Sequence, residues 1–94
     1  MRQRAKDVLR AAALSGVRQL RGKMFDAQGG RCAAGLLVDL CPEELTHLLH
    51  APATTCDLCG QPMRSEGYLM LHLNDWHALD FLAIAEKLPL DIDV

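Results

Sequence analysis

Two cysteines and two histidines, in the order Cys56-x2-Cys59-x12-His72-x4-His77, tie together about a quarter of a 94-residue chain. Two residues between the cysteines make a tight turn in which both thiolates can face one ion. Gly60 follows, where the backbone must bend so that its amides turn toward the sulfurs. Two histidines about one helical turn apart can then close a tetrahedron from a single helix. The pattern predicts a metal site with Cys56, Cys59, His72 and His77 as ligands and Zn2+ as the expected ion. His77 is the least constrained member, because Trp76 and Ala78 can end the helix before it and leave His47, His50 or Cys41 to supply the fourth ligand. An ordinary loop beside unrelated histidines accounts for the same residues without a metal.

The segment 54–78 resembles a two-Cys two-His zinc finger. In that family a bulky apolar residue follows the second Cys by four positions and another precedes the first His by three; here these are Met63 and Leu69. The resemblance implies a zinc-knuckle hairpin followed by a helix that begins near Ser65 and runs through His72, with Met63 replacing the usual aromatic and weakening the small core. It also implies that Ser65, Tyr68 and Leu71 occupy the base-reading positions. None of them carries the bidentate groups that read base edges, so the metal is expected to staple the fold rather than read DNA.

The rest of the chain is half hydrophobic but only 4% aromatic, so its core must be built from Leu, Ala, Val and Met, a composition that favours helices. At this length one core is expected, and residues 1–94 are read as a single, mainly α domain. Val8, Leu9, Ala12 and Ala13 recur at helical spacing in Arg4–Ser15, with Gly16 as the stop. Residues 17–25 alternate too irregularly to separate strand from extended loop, and 26–30 have turn composition. Cys32–Leu40 reads as a helix buried throughout, with Gly35 allowing close helix packing. Pro42 suits the first turn of the next helix, with Glu43 and Glu44 at its positive end and Leu45, Leu48 and Leu49 facing inward. Tyr68–Leu73 is apolar on nearly every side, the mark of a central helix or of one with a face offered to a partner. Asn74 can take a left-handed helix end. Asp80 can cap a last helix with Phe81, Ile84, Ala85 and Leu88 as its stripe. Pro89 then stops it, and the tail Asp91–Val94 is expected to fray.

Charge is divided along the chain. Residues 1–31 carry eight Lys or Arg against two acids, and residues 32–94 carry two against ten. The division suits either a basic surface for an anionic partner or two halves that complement each other in the fold, and the acidic total favours the second. No apolar run approaches the roughly 18 residues of a membrane span. Asp7 opposes a transit-peptide reading of Met1–Leu20, no secretory signal is evident, and four cysteines are expected as thiols or ligands in a cytoplasmic protein. Catalytic motifs fail one by one. Neither His50-Ala51-Pro52 nor His72-Leu73-Asn74 supplies the Glu of a zinc deaminase, the second Cys pair of a His-Asn-His nuclease is missing, and Gly29-Gly30-Arg31 lacks the ending of a phosphate loop. Cys32 and Cys41 are more simply buried than nucleophilic.

A second resemblance covers most of the chain. Its pieces are Ser15-Gly16, Gln19-Leu20-Arg21-Gly22, Asp26, the run Gly30 to Leu40, Leu73-Asn74-Asp75 and Phe81 to Leu88. In this order they resemble a group of small phage and bacterial proteins to which no activity is assigned. Most of that group lacks the Cys pair, which makes the finger a local elaboration. The resulting expectation is a non-enzymatic accessory module that binds a host or phage protein, as modulator or inhibitor. The alternative is a nucleic-acid-binding regulator that uses the finger, a helix-turn-helix-like Leu73–Leu88 and the cations Arg2, Arg4, Lys6, Arg10, Arg18, Arg21, Lys23 and Arg31.

Overall fold

The computed structural model describes residues 2–88, with side chains from Arg4 onward. Five helices, α1 Arg2–Ser15, α2 Ala33–Leu40, α3 Pro42–Leu49, α4 Glu66–Asp75 and α5 Phe81–Lys87, make the protein mainly α. The only sheet among the described residues is a two-residue pair, β1 Thr54–Thr55 with β2 Pro62–Met63, antiparallel between α3 and α4. Pro89 and the tail Asp91–Val94 lie outside the described residues.

The helical periodicities become the core. Ala5, Leu9 and Ala12 form the inward stripe of α1, and Phe81, Ile84, Ala85 and Leu88 form that of α5, which packs chiefly against α1. Leu69, Met70 and Leu73 of α4 are buried at the centre, so the apolar excess of Tyr68–Leu73 is mostly core, with Tyr68 left outside.

α2 departs from expectation in two ways. Its first five residues are buried, but Val38, Asp39 and Leu40 emerge at the surface, where Asp39 accepts from Arg31 at 2.6 Å and the Leu40 carbonyl accepts from Arg4 at 3.0 Å. Gly35 does permit a close approach, but to a loop rather than a helix: a Cβ there would stand 2.3 Å from the Met24 carbonyl oxygen. Residues 17–31 form that loop, with isolated bridges at Arg31 instead of a strand, and Asp26 Oδ1 accepts the Gln28 and Gly30 amides to set its turn.

Two buried polar groups join elements far apart in sequence. Glu44, in the first turn of α3 and 2% exposed, accepts the Ala5 amide at 3.1 Å and so also serves the N-terminal turn of α1. Asn74 is helical and fully buried, and the left-handed residue of this region is Ala78 instead. The Asn74 side chain is needed inside. Its Oδ1 accepts from Gln19 Nε2 and the Ala33 amide, and its Nδ2 donates to the Leu20 carbonyl and Asp75 Oδ1. Among the described residues the charges pair both within and between the halves: Arg18 pairs with Asp26 and Lys87 with Asp57, while Arg31–Asp39 joins the two.

Candidate metal centre

The hairpin presents the cysteines. Thr54 pairs with Met63 and Thr55 with Pro62, and the loop between closes on itself as Cys56 N–H donates to Gln61 O at 2.9 Å and Gly60 N–H to Cys56 O at 2.7 Å. Gly60 has φ 77, a conformation that costs any residue with a Cβ. Cys56 is fully buried and Cys59 is exposed. Ser65 caps α4, its Oγ accepting the Tyr68 amide, which sets the helix phase that carries His72 to the loop.

His77 arrives by a different route from the one its spacing suggests. Five residues advance an ideal α-helix by roughly 140° beyond a full turn, so a continued α4 would carry His77 away from His72. α4 instead ends at Asp75, and His77 N–H donates to His72 O at 3.2 Å, a widened i to i−5 turn that brings the rings together. Their centroids are 4.7 Å apart at 86°. The ligand pair thus comes from a helix and the corner that follows it, not from one helix.

All four side chains meet. Their potential ligand atoms lie within 4.8 Å of one another, with Cys56 Sγ 3.5 Å from His77 Nε2 and Cys59 Sγ 3.4 Å from His72 Nε2. A tetrahedral ion with bonds of about 2.3 Å to sulfur and about 2.05 Å to nitrogen would hold such atoms about 3.6 Å apart. The donor set has the chemistry of one tetrahedral site and its two short sulfur–nitrogen separations match that spacing, while the spread of up to 4.8 Å would have to close by about 1 Å around a single ion. His47, His50 and Cys41 do not join the cluster. Burial above all, and the Glu44 carboxylate next, push the Cys41 thiol up, which disfavours the thiolate a metal needs. Cys32 Sγ accepts the Gly35 amide as the cap of α2.

Burial first, and His77 second, hold His72 below its ordinary pKa of 6.5. The neutral, ligating ring thus persists to lower pH than in a free imidazole. Because the folded value is the lower one, the contribution of His72 to stability is complete above about 6.5 and is lost as pH falls through the folded value. Protons also displace metal from thiolates and imidazoles. Metal content and thermal midpoint are expected to fall together as pH is lowered from about 6.5. A metal-loaded protein whose midpoint stays flat over that fall in pH would contradict the site.

Three surrounding features carry no signal in the ligand spacing. Trp76 stacks on His72 at 6.4 Å and 9°, Lys87 ties the knuckle loop to α5 through Asp57 at 3.1 Å, and Arg21 and Gln19 reach the corner after His77. The positions that read bases in zinc fingers are otherwise engaged. Ser65 is 1% exposed as a cap, Leu71 is half-buried against the core, and Tyr68 lies under the Arg64 guanidinium at 5.5 Å. No helix among the described residues is long and apolar enough to cross a membrane. No protein-family model, curated protein or solved structure matches the chain.

Proposed function

We propose that the cluster holds Zn2+ as a structural cross-link and that the chain is a small protein-binding accessory module, a phage- or bacterium-encoded modulator or inhibitor of a host protein, with no catalytic step. Mixed nitrogen and sulfur ligands in a tetrahedral shell suit Zn2+, and four protein ligands are the composition of structural rather than catalytic sites. Bound there, the ion would supply cross-linking energy to a domain with a small core.

The observation that carries the binding role is the outer face of α4. Tyr68, His72 and the C-cap residue Trp76 recur every four residues along it, Arg64 reaches over Tyr68 from just before the helix, and Tyr68 is 42% and Trp76 76% exposed. Tyr, Trp and Arg dominate the energetics of protein interfaces. Stacking on a metal-held imidazole would restrain Trp76 before a partner arrives and so reduce the ordering cost of binding. The phage and bacterial origin rests on the ordered resemblance from Ser15-Gly16 to Leu88. A nucleic-acid role has less support, since Arg18, Arg31 and Arg21 are already engaged by Asp26, Asp39 and backbone carbonyls.

The test is capture of host proteins on the immobilised, metal-loaded chain, followed by affinity measurement with the isolated partner. Trp76→Ala is expected to weaken that affinity by about thirtyfold, about 2 kcal/mol. Its metal content and far-ultraviolet circular dichroism should match the unmutated protein. Failure to recover a protein partner, together with tight, steeply salt-dependent binding to DNA or RNA, would overturn the reading.

A further inference from the structure

The corner that delivers His77 is held from the other end of the chain. Ala78 has φ 54, a left-handed conformation that Gly or Asn adopts more readily than Ala, so its surroundings must keep it there. Arg21 Nη2 donates to the Ala78 carbonyl at 2.8 Å and, at 3.4 Å, to that of Leu79. Gln19 Nε2 donates to the Leu79 carbonyl at 2.7 Å. The loop that bears both is fixed to α4, with Gly22 N–H donating to Asp75 Oδ1 at 3.0 Å and Asn74 Nδ2 to the Leu20 carbonyl at 2.9 Å. His77 therefore lies between the helix end that sets its start and a left-handed turn that residues 19–22 clasp.

We propose that Arg21 is a positioning residue of the metal centre: by holding the Ala78 carbonyl it fixes the turn that swings His77 toward Cys56. The proposal rests on the reading of the cluster as a metal site and on nothing about a partner. Two consequences follow from linkage. Metal affinity depends on a loop more than fifty residues away in sequence. Metal binding in turn orders that loop by the same factor. A purely electrostatic effect would be small, because a divalent ion that displaces two thiol protons leaves the charge of the site nearly unchanged, and removing a nearby cation should then leave affinity about where it was.

Competitive Co2+ titration of the full chain separates the two effects. Arg21→Ala is expected to bind Co2+ about three- to tenfold more weakly. Lys23→Ala removes the same charge from the same loop and should bind as tightly as the unmutated chain. Arg21→Lys keeps a donor for one carbonyl and should recover part of the loss. In a His77→Ala background, Arg21→Ala should have no further effect, since the residue it positions is gone. Amide exchange at Gly22 should slow on metal binding in the unmutated chain. Unchanged or tighter Co2+ binding by Arg21→Ala, or an equal loss in both backgrounds, would overturn the proposal and leave the metal site standing. An unmutated chain that binds no Co2+ would instead overturn the metal reading on which it rests.

Discussion

Cys56→Ser will abolish metal uptake and lower the unfolding free energy by roughly 4 kcal/mol when free metal stands a thousandfold above its dissociation constant. Cys56 is fully buried, its amide closes the knuckle loop on Gln61, and its sulfur stands 3.5 Å from His77 Nε2. A serine hydroxyl is not deprotonated near neutrality and does not replace a thiolate on Zn2+. The remaining three ligands would lose the member around which both hairpin and corner close. Metal analysis and chemical denaturation, with and without chelator, measure the two effects. Chelator should bring the unmutated protein down to the stability of the variant and leave the variant unmoved. Cys32→Ser makes the contrast, because Cys32 only caps α2 and serine is a good cap, so metal content should not change. Zinc at background in the unmutated protein would end the metal-site reading.

Asn74→Ala is expected to cost about 3–5 kcal/mol, as much as emptying a large core position, although it removes only a small amide. The side chain is fully buried and makes four hydrogen bonds, to Gln19, Ala33, Leu20 and Asp75. Alanine would leave the buried Ala33 amide and the Leu20 carbonyl without these partners, and each such loss costs about 1–3 kcal/mol. Asn74→Asp should be no better. It keeps the acceptor but loses both donated bonds, and it sets a second carboxylate beside Asp75 Oδ1, now 2.7 Å from Nδ2. Urea denaturation of the metal-loaded proteins checks both variants. A loss below about 1 kcal/mol for Asn74→Ala would mean that water replaces the network.

Much of the fold is legible in the sequence, because its signals are local. The stripes of α1 and α5, Pro42 at the start of α3, and the Asp80 cap each depend on residues within a few positions of one another. Three members of the candidate site are legible for a related reason, since Cys56-x2-Cys59 is a turn and His72 sits in a helix whose phase Ser65 sets. What spacing cannot convey is the path to His77. An ideal helix would point it away, and the widened turn that rescues it is held partly by Arg21 and Gln19. The apolar run Tyr68–Leu73 was similarly ambiguous, because periodicity counts apolar residues but does not say how many neighbours will cover them. Coverage by α2, α3 and α5 turned most of it into core.

The division between local and distant interactions also separates what residue order dictates from what packing decides. A mainly helical chain, a cysteine turn and a capped helix bearing His72 follow from propensity, turn chemistry and short spacing, in which each residue's partner is a near neighbour. The choice of His77 over His47, His50 and Cys41, the burial of Glu44 against Ala5, the amide network of Asn74 and the exposure of Trp76 all belong to tertiary structure. Glu44, Asn74 and Arg21 find partners 39 to 58 residues away, at separations that no periodicity encodes. Only when the helices pack do these groups meet, and burial then makes an unmade hydrogen bond costly enough to choose one arrangement.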